Sequence, residues 1–231
     1  MLRLLLGASL VILAGLAWAY TAAMADMPDC AAMHAFGPFL VMWTVMMAAM
    51  MFSAVLPVVF VYVAMARGRV ASTVAGALLF VAGYLVVWGL LGIPARALLG
   101  GVEWLGAAVP TVARWARPLG GAALITCGIY QLTPLKDVCL QHCRLPQLFL
   151  AHHWRDGLVG SFRMGAHHGL YCAGCCVSLM IVLLVVGVMN LAWMVALTAV
   201  IHMEKILPGG QLIGRVVGLA FCGFGVARLL H

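Results

Sequence analysis

The chain has 231 residues, of which 66% are apolar and only 8% charged, whereas a soluble domain is nearer about 25% charged. One soluble core of this size cannot hide that much apolar surface, and exposing it invites aggregation. Hydropathy excludes disorder, glycine without a period excludes a collagen-like chain, and length excludes a small disulfide scaffold. Thirteen basic residues against six acidic give a formal charge of +7. They are scattered between apolar runs, which is the pattern of membrane orientation and not of nucleic-acid binding. The expected class is all-α: a polytopic transmembrane helical bundle, residues 1–231 forming a single integral membrane domain with the lipid bilayer as its surroundings.

A hydrocarbon core of about 30 Å takes roughly 20 apolar helical residues. The first such run is Leu4 to Ala25, the second Pro38 to Ala66 with Pro57 inside it, the third Val70 to about Leu91, and a shorter fourth Pro118 to Leu135. The first run also has the parts of a signal peptide, with Arg3 before it and Ala23-Met24-Ala25 ahead of Asp26. It is longer than the usual apolar region of such a peptide, which favours a retained anchor. The segment 93–117, with Arg96, Glu103, Trp104, Arg114 and Trp115, reads as an amphipathic stretch lying along the interface.

From Met164 to Met203 there is no Lys, Arg, Asp or Glu. Such a stretch would reach about 60 Å as one helix, twice the core, so the chain must turn back within it. Gly187 to Asn190 is the expected turn between spans five and six, and a seventh span runs from about Leu212 to Leu230. The count is about seven, with six as the alternative. With the N-terminus inside, Arg3, Arg67, Arg69, Lys136, Arg144, Arg155, Arg163, Lys205 and Arg215 fall on the cytoplasmic side, and Arg96, Arg114, Arg117 and Arg228 outside. This bias predicts a multi-pass protein with a cytoplasmic N-terminus, and it puts the connection 134–168 on the cytoplasmic side.

That connection is where the chemistry collects. Of eight cysteines, six lie between Cys127 and Cys176, and of eight histidines, five lie between His142 and His168. Thr133-Pro134 reads as the cap and first residue of a short helix that Pro146 ends. On that helix Cys139, His142 and Cys143 share a face, being three and four residues apart. At the mouth of span five, His168, Cys172, Cys175 and Cys176 form one stripe, with His167 beside it. Two facing helices, each carrying several soft donors, can together build a four-coordinate site. Packing is the competing reading for isolated thiols, since free Cys behaves as a small buried hydrophobe; it is the preferred one for Cys127 and Cys222. His152 and His153 are expected in the loop, undecided between the two readings. His202 and Glu204 either orient a ligand imidazole or, in Glu204's case, pair with Lys205 or Lys136. Asp137 pairs with Lys136 or Arg144.

A methionine stripe runs along span two, where Met42, Met46 and Met50 recur every four residues beside Met47 and Met51. Met commonly fills cores. The functional alternative is a thioether path for Cu(I), which soft sulfur ligands select. The first outer loop adds Met24, Asp26, Met27, Asp29, Cys30, Met33 and His34 within eleven residues.

Leu132-Thr133-Pro134-Leu135-Lys136 with Cys139, His142 and Cys143, Arg163-Met164-Gly165 through Cys176, and Val188-Met189-Asn190-Leu191-Ala192-Trp193-Met194 resemble a bacterial family of predicted metal-binding integral membrane proteins, a domain of unknown function. The stretch from Trp43 to Met51 is similar too, while Phe52 departs from the family's more usual Leu-Pro step. The resemblance covers about Met42 to Pro208. It implies a helical protein of the bacterial inner membrane with a Cys/His metal site on Cys139, His142, Cys143, His168, Cys172, Cys175 and Cys176.

The expected function is binding of a soft metal ion for transport, delivery or homeostasis, with copper(I) first and zinc as the alternative. Oxygen-seeking Ca²⁺ and Mg²⁺ do not suit these donors. His167, Met46 and Met50 complete the candidate ligands, and a metal-carrier or partner membrane protein is the expected partner. One competing reading is a membrane thiol–disulfide oxidoreductase using the Cys172/Cys175 C-x-x-C pair. Another is a subunit or assembly factor of a larger membrane complex. No phosphate loop, serine triad, zincin motif or dinucleotide fingerprint occurs.

Overall fold

The structure, a computed structural model, describes residues 2–25, 35–67, 72–109, 111 and 115–230. The outer-loop candidates Asp26, Met27, Asp29, Cys30, Met33 and His34 lie outside the described residues, as do Arg69 and Arg114, whereas Met24 belongs to the first helix. Among the described residues every regular element is a helix: α1 (Leu2–Ala25), α2 (Phe36–Met65), α3 (Thr73–Ala108), α4 (Ala116–Gln131), α5 (Pro134–Arg144), α6 (Pro146–His153), α7 (Gly157–Val186), α8 (Leu191–Ile206) and α9 (Gly210–Leu230). Five of them, α1, α2, α3, α7 and α9, are long and apolar enough to cross a membrane. The α4 and α8 helices, the expected fourth and sixth spans, have 16 residues each.

Local sequence accounts for most helix ends. The Thr133 hydroxyl accepts from the Lys136 amide, with Pro134 opening α5 where its missing N–H costs nothing. Pro146 then starts α6. Gly187 takes φ +111 at the end of α7, a conformation open to glycine, and the Asn190 side chain accepts from the Trp193 amide to begin α8. The turn thus falls where expected. Pro57 and Pro94 lie inside α2 and α3, which continue past them.

Two helices are longer than the apolar runs. The third span was expected to finish near Leu91, but α3 continues to Ala108, so much of the expected interfacial stretch extends that helix. Within the extension Arg96 and Glu103 approach to 3.8 Å. Similarly α7 begins at Gly157, ahead of the exposed Arg163 that bounded the charge-free run. The connection 134–168 is therefore helical through α5, α6 and the first turns of α7, and His152 and His153 end α6 instead of lying in a loop.

The helix α7 is the central post. It packs along α3, and α4, α5 and α8 lean on it, while α1 covers α2 and α4 pairs with α9. Contact with α3 is backbone to backbone: a Cβ on Gly165 would collide with the Phe80 carbonyl. Small residues permit such close approach of two helix backbones. Nearer the start of α7, the hydroxyls of Tyr62 and Ser161 share a hydrogen bond of 2.6 Å, tying α2 to α7.

The α4–α5–α8 junction is held by charge. Lys136 and Glu204 are each 1% exposed, with Nζ 2.7 Å from Oε1, and Lys136 also donates to the Gln131 side-chain carbonyl. Arg144 adds donations to the backbone carbonyls of Glu204 at 2.7 Å and Pro208 at 3.1 Å. Of the two partners expected for Glu204, Lys136 is the one found. Asp137 instead pairs with Arg215 of α9 at 3.6 Å, because its helix turns it outward from Lys136. These bonds fix α5 against the end of α8, and the candidate site lies beside that junction.

Candidate metal centre

Cys172 stands 15 residues into α7, roughly 22 Å along its axis, so the soft-donor stripe lies near mid-helix and not at its mouth. The helix α5 folds up alongside α7 and brings its own face to that level. Side chains three or four residues apart on a helix meet on one face; hence the two stripes confront each other.

The thiols of Cys143, Cys172 and Cys175 converge, their sulfurs all within 4.8 Å of one another, and all three are buried. Cys143 and Cys175 sulfurs are 3.8 Å apart. Cys176 follows, its sulfur 3.4 Å from that of Cys175, although it stands outside the three-way group. Cys175 donates to the Cys172 carbonyl at 3.1 Å, and Cys172 shares a 3.1 Å hydrogen bond with the Tyr84 hydroxyl from α3. The Cys139 sulfur lies against Gly174, 2.7 Å from where a Cβ would be. It borders the group without joining it. All seven cysteines among the described residues are free thiols.

A cation stands among these sulfurs. Lys205, at the end of α8, donates from Nζ to Cys172 at 3.0 Å. Sequence reasoning treated Lys205 as an interfacial charge or a partner for Glu204, because a lysine at a helix end ordinarily snorkels to water. The available signal was its neighbour Glu204: once Lys136 holds that carboxylate, Lys205 is turned to another face. On α5, burial pushes the Cys139 thiol up from its ordinary value. The Cys143 thiol is held well above its ordinary value, first by its hydrogen bond with Cys172 and then by burial, against an opposing contact with Cys175.

The imidazoles go elsewhere. His168 is buried among Phe80, Tyr84 and Phe149, stacked on Tyr84 at 5.9 Å, and its Nδ1 has no hydrogen-bond partner. It is a neighbour of the thiol group one turn along α7, outside the 4.8 Å set. His142 turns away from Cys143 and stacks on Tyr171 with ring centres 3.9 Å apart. His167 packs edge-on to His153 at 4.4 Å. His202 orients no ligand: its Nδ1–H donates to the Thr198 carbonyl and the Ser53 hydroxyl donates to its Nε2, both at 2.7 Å. Met46 and Met50 are fully buried in the helical core, with Met42, Met47 and Met51. Cys127 packs in the core, and Cys222 faces the Ile125 carbonyl across the α4–α9 seam.

Three converging buried thiols beside an ammonium form a donor set of the soft kind, suited to a thiophilic cation and poor for oxygen-seeking ones. A family model described as PpoB2, copper chaperone, matches residues 40–228, well over half of the chain. The protein therefore belongs to the PpoB2 copper-chaperone family. No curated protein and no solved structure matches it significantly.

Proposed function

We propose that this protein is a membrane-embedded Cu(I) carrier that takes the ion on the thiols of Cys143, Cys172 and Cys175 and hands it to a partner metal-carrier protein. The observation that supports this most is the convergence of those three sulfurs from two helices. Thiolates select Cu(I). Among the described residues the converging set is three thiols, and zinc, which completes four ligands in structural sites, would have to recruit a neighbouring sulfur. Cys176 stands beside it, its sulfur 3.4 Å from that of Cys175, and Cys139 lies near it against Gly174. An ion held by three sulfurs with a further thiol, Cys176, beside them can leave by stepwise ligand exchange, which suits delivery better than permanent storage.

Charge bears on the bound ion too. Cu(I) bound by three thiolates carries two net negative charges, and Lys205 offsets one of them in surroundings where an uncompensated charge is costly. The buried methionines of α2 then serve as packing, and His168, with its unpartnered nitrogen, is a reserve imidazole one turn along α7.

The membrane setting is part of the reading. Seven crossing segments place α4 and α8 across the bilayer beside the five longer helices, in a bacterial inner membrane, with the N-terminus, α5 and α6 toward the cytoplasm, as the lysine and arginine distribution favours. The α3 extension past Leu91 then approaches the outer interface. Copper absorption spectroscopy on the Cu(I)-loaded chain tests the site: a first shell of sulfur scatterers is expected, and a shell of nitrogen and oxygen alone overturns it.

A further inference from the structure

Beside the thiol group, on the outer side of α5 and α6, lies a cavity of about 370 Å³ lined by His142, His152, His153, Phe149 and Tyr171 among others. Each of its three histidines makes the same bond. Nδ1 of His142 lies 2.8 Å from the Val138 carbonyl, and Nδ1 of His152 and of His153 lies 2.9 Å from the Leu148 and Phe149 carbonyls. A carbonyl oxygen only accepts, so Nδ1 bears the proton in all three rings. In the neutral ring this tautomer leaves the lone pair on Nε2. This is how metal-binding imidazoles are commonly held, with one nitrogen pinned by a carbonyl so that the other is oriented and made more basic. One such bond is an ordinary helix contact; three around one open cavity are a donor set.

The aromatic packing brings two of them together, and His152 joins them as a lining residue of the same cavity. His142 and His153 have ring centres 6.2 Å apart. His167 backs the cavity from α7, 4.4 Å from His153 and 5.0 Å from Tyr171. Sequence neighbours join this cavity to the thiols: His142 precedes Cys143, and Tyr171, on which His142 stacks, precedes Cys172. On both helices one residue faces the cavity and the next faces the buried sulfurs.

We propose that the His142, His152 and His153 cavity is a separate landing site, where neutral imidazoles take a copper ion from solution before it passes to the buried thiols. The direction of passage rests on the reading given above; the site itself does not. Imidazole suits copper, and the open cavity with unconverged rings holds the ion loosely. Three close sulfurs hold it harder, so the ion moves inward. The two sites share a wall, and transfer exchanges a nitrogen ligand for a sulfur one while the displaced thiol proton passes to the vacated imidazole nitrogen or to solvent, with no change in oxidation state when the ion is Cu(I).

The test uses the full chain in detergent, with its thiols first saturated by Ag(I), which is diamagnetic and prefers sulfur, and excess silver removed. Cu(II) is then added as a paramagnetic probe of the remaining nitrogen donors. About one equivalent is expected to bind with nitrogen hyperfine splitting in its electron paramagnetic resonance spectrum. That equivalent is expected to be lost in the His142→Asn/His152→Asn/His153→Asn variant, while silver uptake stays at the parental value. A parental spectrum without nitrogen coupling overturns the site, and so does the same coupled signal in the variant. Diethyl pyrocarbonate labelling of the parental chain provides a readout free of substitutions: Cu(II) is expected to protect His142, His152 and His153, and unchanged labelling of all three contradicts the site. Silver uptake reports on the thiols alone, so failure there is told apart from failure at the imidazoles.

Discussion

The ammonium nitrogen of Lys205 lies 3.0 Å from the sulfur of Cys172, although the residues belong to different helices, α8 and α7. That contact puts a fixed positive charge at the edge of the three-thiol group. Its role is expected to be electrostatic, balancing a copper–thiolate centre that is negative overall. Replacing Lys205 by Met, which keeps the length and removes the charge, should weaken Cu(I) binding roughly ten- to a hundredfold, as loss of an outer-shell partner typically does. Arg at the same position should retain most of the affinity. Competition against a chromogenic Cu(I) chelator measures both, and equal affinity for parent and Met variant would remove Lys205 from the site.

The Lys136–Glu204 pair is a structural lock. Both groups are almost wholly buried, and removing one partner of such a pair strands the other, at a cost of about 3–5 kcal/mol. Lys136→Met or Glu204→Leu alone should therefore lower the thermal midpoint sharply. The double variant should recover a large part of the loss, since an apolar pair of similar volume is often no less stable than the buried ion pair. If the double variant is as unstable as the sum of the singles, the pair is not coupled as described.

Proton competition follows from α5. The Cys143 thiol is held well above its ordinary value by its bond to Cys172 and by burial, and Cys139 is raised by burial. Metal binds the thiolate and must displace the proton. While pH lies below a raised thiol's value, each such displacement makes affinity rise about tenfold per pH unit. Cu(I) binding should tighten from pH 6 to pH 8 and release protons into a weakly buffered solution. Affinity independent of pH over that range would show that Cys143 is not a ligand.

The α3–α7 seam offers a test of the scaffold apart from the site. A Cβ at Gly165 meets the Phe80 backbone, which cannot move aside as a side-chain tip can. Gly165→Val should cost at least the roughly 1–3 kcal/mol of an overpacked core, read as a lower thermal midpoint of the detergent-solubilised protein. An unchanged midpoint would mean that the two helices are not in contact there.

Much of this arrangement is legible in the chain. Apolar run length located the helices, Gly187 and Asn190 marked a real reversal, and Thr133-Pro134 opened α5 as cap chemistry predicts. The four- and three-residue spacing of Cys172, Cys175 and Cys176 put them on one face, and the facing helix supplied Cys143. What was not legible depends on neighbours. Spacing treats His142 and Cys143 alike, but adjacent helical residues point about 100° apart, so one is drawn into the thiol group and the other onto Tyr171. His168 has the right register yet is captured by Tyr84 and Phe149. Lys205 joined the sulfurs because Lys136 had already taken Glu204, a choice made in three dimensions. Charge-free runs also do not mark where a helix ends, since a helix continues through charged residues, and so α3 and α7 outrun them.

The most direct measurement is the copper content of the purified chain reconstituted with Cu(I), compared with that of a Cys143→Ser/Cys172→Ser/Cys175→Ser variant and of Cys127→Ser/Cys222→Ser as a control. About one tightly held, sulfur-bound copper per chain is expected in the parent and in the control, and none in the triple variant. Equal tightly held copper in the parent and in the triple variant would contradict the account.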